Sequence, residues 1–213
     1  MTLHILGPGF SSLVRTVRLY SLEKELDATF GMTLDGQAVG LRSETHRRLH
    51  PFGQLPVLVH DDRHVFETVA ICRYLDQVFP PRIASDPERE LLVDQWASAL
   101  ATTVDRCLIR DYLLKVAGRK PDPDFDPQAL HRARTRVNET LAILEFQLGD
   151  EPFLCGAQFS VADALLAPML DYLERLPERE WQTPTTGLDG YLARIRQRPS
   201  GQAVLQRPDF SAV

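Results

Sequence analysis

Residues 50–75 read HPFGQLPVLVHDDRHVFETVAICRYL and carry more structural information than any other part of the chain. Pro56 stands before the apolar run at residues 57–59, which is typical of a strand covered on both faces. A proline is accepted there only at the first residue of the strand or at a sheet edge. The backbone polar groups just before Pro56 are therefore predicted to be free to bind another molecule.

A helical pattern begins at Glu67-Thr68, directly after a second short strand at residues 63–66 that follows the Asp61-Asp62 turn. The first turn of a helix offers unpaired N–H groups and the positive end of the dipole, which suit a carboxylate. Thr68 adds a hydroxyl donor, and Glu67 adds a negative charge suited to an ammonium group. The alternative is an ordinary capped helix, with Thr68 as the cap and Glu67 favoured by the dipole.

This stretch resembles the glutathione-binding half of the glutathione S-transferase superfamily. The family pattern reads roughly NPFGQVPxL, then a hairpin, then ESxAIxxYL, and this chain has HPFGQLPVL and ETVAICRYL. His50 replaces the usual Asn, and Thr68 replaces the usual Ser while keeping the hydroxyl. Glutathione is therefore the co-substrate that the resemblance implies.

The resemblance also implies a role for each residue of the motif. Pro56 is expected in the cis form, and Leu55 is expected to offer its backbone to the cysteinyl part of glutathione. Gln54 and Thr68 are expected to hold carboxylate or backbone groups of the tripeptide. Glu67 is expected to face the γ-glutamyl ammonium.

Two serines at the start of the first predicted helix are candidates for activating the glutathione thiol. A thiol with a pKa near 8.5 is mostly protonated at neutral pH, and lowering the pKa by about two units requires about 3 kcal/mol of preferential stabilisation of the thiolate. A hydroxyl donor and the helix N-terminus can supply much of that. By resemblance, Val17-Arg18 aligns Ser11 with the activating serine of the family, and Ser12 is the close alternative. Either serine can instead be a plain helix cap.

Three functions are compatible with these residues. The first is glutathione transfer to a small electrophile. The second is glutathione-dependent isomerisation, as in relatives that act on maleylacetoacetate, although those relatives follow the double serine with a cysteine and this chain has Leu13. The third is a transferase-like protein-interaction module without turnover, against which the retained Gln54, Glu67 and Thr68 argue.

The composition excludes several other classes of protein. A net charge of −5 among 213 residues argues against general affinity for nucleic acid or for an anionic membrane. The three cysteines form no Cys-x-x-Cys pair and none starts the first helix, which indicates a reducing compartment and no thiol-disulfide chemistry. The histidines are isolated along the chain, so no metal site is expected. No signal peptide or membrane-spanning run is visible, and a cytoplasmic location is predicted.

The sequence pattern predicts two domains joined by a proline-rich linker. Residues 1–79 alternate short strands with helices, residues 80–87 form the linker, and residues 88–213 contain helical patterns only. One long helix is predicted over residues 88–118 and another from Leu130 to Gly149. By resemblance, the fold class is α/β plus all-α: a thioredoxin-like domain with a mixed four-stranded sheet, then an all-helical bundle.

The resemblance further implies a homodimer and a second site for the electrophile. The electrophile site is expected beside the first helix and the long helices of the second domain. The residues expected there are Phe10, Leu13, Arg106, Arg110 and Leu113. An arginine at this place favours a carboxylate-bearing substrate, or it pairs with Asp105 or Asp111 on the surface.

Overall fold

The computed structural model describes residues 2–80, 86–117, 126–176 and 183–207. By its internal packing the chain divides into two compact units. The first unit comprises Met1–Asp86 together with Arg196–Val213, and the second comprises Pro87–Ile195. In the described part of the chain, no helix combines the length and the apolar character needed to cross a membrane.

A mixed four-stranded sheet organises the first unit, as the family resemblance implies. The strands of the unit are β1 (Leu3–Leu6), β2 (Thr29–Gly31), β3 (Thr33–Leu34), β4 (Gln37–Ala38), β5 (Val57–His60) and β6 (Arg63–Phe66). The sheet has the order β2-β1-β5-β6, while β3 and β4 form a separate hairpin. β1 is parallel to β2, and the other two pairings are antiparallel. Pro56 thus precedes the first residue of an interior strand, the position that its missing N–H allows.

Two helices pack on one face of this sheet. The helices of this part of the chain are α1 (Ser12–Glu23), α2 (Glu44–Leu49) and α3 (Thr68–Val78). Apolar side chains of α1 and α3 meet those of β1 and β5 in one buried cluster of Leu3, Ile5, Val14, Val17, Leu58, Ile71 and Leu75. The N-termini of α1 and α3, which carry the predicted site residues, are therefore fixed by the same core.

The second unit is helical throughout its named elements. Its first helix runs as α4 (Pro87–Ala99), continues through wider π-helical turns at Leu100–Val104 and Arg106–Leu113, and ends as α5 (Leu114–Val116). The helix predicted over residues 88–118 is therefore confirmed as far as Val116. Residue 118 lies outside the described residues.

The remaining described helices of this unit are α6 (Pro127–Leu148), α7 (Val161–Glu174) and α8 (Thr186–Gln197), the last of which runs past the end of the unit. α6 ends where Gly149 adopts a positive φ of 52°, at the predicted stop. At the start of α7, the buried Asp163 accepts hydrogen bonds from the Ser160 N–H and hydroxyl, each at 2.8 Å.

The short helix α9 (Pro199–Val204) packs within the first unit. The buried Arg15 of α1 donates from Nη2 to the carbonyl oxygens of Val204 at 2.8 Å and Gln206 at 3.0 Å. At the other end of α1, Glu23 accepts hydrogen bonds from Arg198 and Ser200. The sequence assigns residues 88–213 to the helical domain, whereas by packing the residues from Arg196 onward belong with the first unit. The predicted linker at 80–87 falls mainly on residues 81–85, which are outside the described residues.

Candidate active site

The chain just before β5 presents unused backbone groups. The Leu55–Pro56 peptide bond is cis, Pro56 is buried, and Leu55 is half-buried. Among the described residues, neither the N–H nor the C=O of Leu55 takes part in a hydrogen bond. Both groups are strong hydrogen-bonding groups, and they lie at a strand entrance where another extended backbone can pair with them.

Gln54, the residue before Leu55, is fixed through its backbone carbonyl group. The carbonyl oxygen of Gln54 lies 3.0 Å from Nε2 of the buried His46, while the Gln54 side chain is exposed. Gly53 has a φ of 60°, and a Cβ added to it would meet Cγ of Arg42 at 3.2 Å. The turn at Gly53 thus needs a residue without a Cβ, because of both its backbone conformation and the close approach of Arg42.

Glu67 occupies an unusual backbone conformation at the start of α3. Its φ of 67° and ψ of 122° are rarely adopted by a residue with a side chain, and such conformations concentrate at binding sites. The Glu67 side chain is 61% exposed and forms no capping hydrogen bond with the helix. The predicted alternative, in which Thr68 caps an ordinary helix, is wrong because Glu67 holds the cap position and Thr68 is the first helical residue.

The first turn of α3 is consequently open. Among the described residues, no acceptor bonds the N–H groups of Thr68, Val69 or Ala70, and the first helical bond runs from the Ile71 N–H to the Glu67 carbonyl at 2.9 Å. The side chain of Thr68 is largely buried beside them. An anion can therefore bind here to backbone N–H groups and a hydroxyl at the positive end of the helix dipole.

The two candidate serines lie at the start of α1. Ser11 is the cap residue, and its Oγ accepts the Val14 N–H at 3.4 Å. This bond uses a lone pair of the hydroxyl and leaves its hydrogen available for donation. Ser11 is half-buried, whereas Ser12 is the first helical residue and only 7% exposed. The capping role and a donor role of Ser11 are thus compatible.

Sequence reasoning missed two buried histidines at one end of α2. His46 and His50 are four residues apart, and they are 0% and 2% exposed. Each accepts a backbone N–H at Nδ1, His46 from Arg42 at 2.9 Å and His50 from Phe52 at 3.3 Å. Burial lowers the pKa of His50, the main opposing influence being the nearby Glu67 carboxylate. The signal in the sequence is the i, i+4 spacing, which reading each histidine alone does not reveal.

The arginines predicted for the electrophile site are engaged within the second unit. Arg110 Nε donates to Asp105 Oδ2 at 2.9 Å, and Arg106 lies 3.9 Å from Asp111. Both arginines therefore pair with the predicted acids, although the Asp105 that pairs with Arg110 is buried and does not lie on the surface. Leu113 is buried in the same helix.

The three cysteines are free and buried, in agreement with the sequence analysis. Burial raises the pKa of Cys155 to about 12 and raises the pKa values of Cys72 and Cys107 as well. A buried thiol with a raised pKa is a poor nucleophile at neutral pH. Burial therefore disfavours the thiolate form of all three cysteines.

Comparison with known proteins gives the same family across both units. The family model described as glutathione S-transferase, N-terminal domain, matches residues 10–78. The model described as glutathione S-transferase, C-terminal domain, matches residues 127–194. The first match contains the candidate thiol-activating and glutathione-binding residues, from Ser11 to Thr68.

Individual relatives cover nearly the whole chain. A glutathione S-transferase of Hyoscyamus muticus is 25% identical over 210 residues, which cover 97% of this chain and 98% of that protein. The glutathione S-transferase PARB of Nicotiana tabacum is 25% identical over 206 residues, covering 94% and 95% of the two chains. Among solved structures, a theta class glutathione S-transferase from Xanthomonas axonopodis pv. citri, with glutathione bound, has a TM-score of 0.82 and 26% identity over 97% of this chain and 98% of that one.

Proposed function

This chain belongs to the glutathione S-transferase superfamily, and we propose that it binds glutathione on its first unit and transfers the glutathione thiol to a small electrophile. The observation that carries this proposal is the set of unused groups around β5 and α3. Within the part of the chain that the structure describes, the N–H and C=O of Leu55 and three N–H groups in the first turn of α3 have no hydrogen-bond partner. A tripeptide with an extended backbone and a terminal carboxylate matches both sets.

The charges of the site match the γ-glutamyl end of glutathione. The α-carboxylate binds at the N–H groups and hydroxyl of Thr68, and the ammonium binds the carboxylate of Glu67. The strained backbone of Glu67 directs its exposed side chain away from helix capping, which supports this role. Arg42, exposed and packed on Gly53 beside Gln54, is placed to offer a cation to the glycyl carboxylate.

The thiol is activated by a serine hydroxyl at the start of α1. Ser11 donates its hydrogen to the thiolate while its oxygen continues to accept the Val14 N–H. The greater exposure of Ser11 favours it over Ser12. The serine stabilises the anion and forms no covalent bond, and the thiolate itself attacks the electrophile. By family resemblance the protein acts as a cytoplasmic homodimer.

Binding of glutathione, measured by isothermal titration calorimetry, tests the proposal. We expect saturable binding by the wild-type protein, together with conjugation of a standard aryl or alkyl electrophile. Glu67→Gln removes the charge opposite the ammonium, so the Kd for glutathione should rise by about tenfold to a hundredfold.

Glu25→Gln is the matched control for this variant. Glu25 is a second exposed glutamate of the first unit with a positive φ of 57°, and it lies after α1, away from the proposed site. Its substitution should leave the Kd unchanged. A folded wild-type protein without saturable glutathione binding contradicts the proposed function, and equal Kd values for both variants contradict the role of Glu67.

A further inference from the structure

His46 of α2 and His50 at its C-cap lie next to two different parts of the proposed glutathione site. His46 reaches the carbonyl oxygen of Gln54 at 3.0 Å, and Nε2 of His50 lies 3.9 Å from Oε1 of Glu67. Each ring is fixed from its other nitrogen by a backbone N–H. We propose that His46 and His50 are positioning residues for glutathione binding: His46 orients the Leu55 N–H, and His50 sets the charge that Glu67 presents to the ammonium group. This inference rests on the proposed function.

The hydrogen bonds determine the tautomer of both rings. An N–H donor at Nδ1 requires a lone pair there, so a neutral ring carries its hydrogen on Nε2. In His46 this hydrogen is donated to the Gln54 carbonyl. In His50 it points toward Glu67, at a distance too long for a direct hydrogen bond.

The orientation of one peptide plane explains how His46 acts. The Gln54 carbonyl and the Leu55 N–H belong to the same peptide unit, and the cis bond of this segment is the following one, between Leu55 and Pro56. In a trans peptide the C=O and N–H point in opposite directions. Because His46 holds the carbonyl oxygen, the Leu55 N–H is directed away from the histidine. That N–H is the group proposed to bind the cysteinyl backbone.

The environment of His50 makes the proposed binding of glutathione weaker at acidic pH. The titratable groups near its ring are Glu67, at the junction of β6 and α3, and His46 on its own helix, while Phe52 and Phe66 contact it as aromatic rings. Protonation places a hydrogen on Nδ1 opposite the Phe52 N–H and a positive charge beside Glu67. The positive charge weakens the binding of an ammonium group by Glu67, because the two cations repel each other and compete for the same carboxylate.

Substitution of a histidine by asparagine or glutamine distinguishes the role of its Nδ1 from the role of its Nε2. The oxygen of an asparagine side chain can occupy the place of Nδ1, whereas the longer glutamine can place an N–H near Nε2. His46→Asn therefore keeps an acceptor for the Arg42 N–H and loses the bond to Gln54. His46→Gln keeps the donor to Gln54. His50→Asn keeps the acceptor for Phe52 and removes the titrating group, and asparagine is the residue of the family pattern at this position.

The test is calorimetric measurement of the Kd for glutathione at neutral pH and at about pH 5.5, with circular dichroism to verify folding. We expect His46→Asn to raise the neutral Kd by about tenfold, and His46→Gln to raise it less. The wild-type Kd should rise on acidification, and in His50→Asn the ratio of the two Kd values should be close to one.

Each outcome has a distinct meaning. Equal neutral Kd values for wild type, His46→Asn and His46→Gln overturn the role of His46. A wild-type Kd that does not rise on acidification, or a rise that is the same in His50→Asn as in wild type, overturns the role of His50. In both cases glutathione binding by the wild type at neutral pH leaves the proposed function standing. Absence of wild-type binding at neutral pH overturns the proposed function and this inference together.

Discussion

Replacing Ser11 with alanine is expected to lower kcat/KM for glutathione conjugation by about thirtyfold to a hundredfold at neutral pH, because the bound thiol loses its hydroxyl donor and its pKa rises by about two units. The Kd for glutathione should stay close to that of the wild type, since Leu55, Glu67 and Thr68 are untouched. The loss of rate should shrink as the pH approaches the solution pKa of the thiol, where the thiolate forms without help. Steady-state kinetics over a range of pH measure this effect.

Three variants separate the donor role of Ser11 from its role as the cap of α1. Ser11→Gly removes the hydroxyl at little cost to the cap, because glycine is an acceptable cap residue. It should lose as much activity as Ser11→Ala. Ser11→Thr retains a hydroxyl and should recover much of the rate. Ser12→Ala should stay near the wild-type rate. Full activity of both Ser11→Ala and Ser11→Gly would exclude this hydroxyl as the activator.

Replacing Gly7 with alanine is expected to lower the free energy of unfolding by about 3 kcal/mol or more, the largest loss of stability among the proposed variants. Gly7 has a φ of 152°, and a Cβ added to it would overlap Cγ2 of Val14. Val14 belongs to the core cluster, and its N–H donates the hydrogen bond that Oγ of Ser11 accepts. The close approach of Gly7 to Val14 therefore sets α1 against β1 and, with it, the position of Ser11. Chemical unfolding gives the free energy change.

Gly31→Ala is the matched control, because Gly31 has a similar φ of 146° and a Cβ there would meet nothing within 4 Å. Its cost should reflect the backbone conformation alone. The double variant Gly7→Ala with Val14→Ala should be less destabilised than the sum of its single variants, since the shorter side chain removes the overlap. Equal destabilisation by Gly7→Ala and Gly31→Ala would show that contact with Val14 does not fix α1.

The two strands beside the candidate site follow from local sequence, since the patterns at residues 57–59 and 63–66 correspond to β5 (Val57–His60) and β6 (Arg63–Phe66). The start of α3 does not follow, because the positive φ of Glu67 contradicts the ordinary preference of glutamate and is imposed by the surrounding fold. The packing of α9 within the first unit cannot be predicted from the sequence either. It depends on hydrogen bonds from Arg15 to residues about 190 positions away, such as Val204. Such long-range contacts leave no local pattern.

The candidate site shows the same division between local and long-range information. The motif with Gln54, Glu67 and Thr68 is contiguous in sequence, and the family resemblance was enough to select it. The proposed role of His46 could not be selected in this way, because it depends on the contact between α2 and the carbonyl oxygen of Gln54. The wide turns at Leu100–Val104 and Arg106–Leu113 were also not predicted, because the apolar spacing there does not distinguish them from ordinary α-helix.

We propose that glutathione is held on the first unit as a thiolate next to Ser11. This proposal is tested most directly by a pH titration of the bound thiol, followed by the ultraviolet absorbance of the thiolate in the wild type, Ser11→Ala and Ser12→Ala. We expect the thiol in the wild type and Ser12→Ala complexes to titrate about two units below its solution pKa of about 8.5, and the thiol in Ser11→Ala to return toward that value. A wild-type complex whose thiol titrates as it does in free solution would contradict the claim.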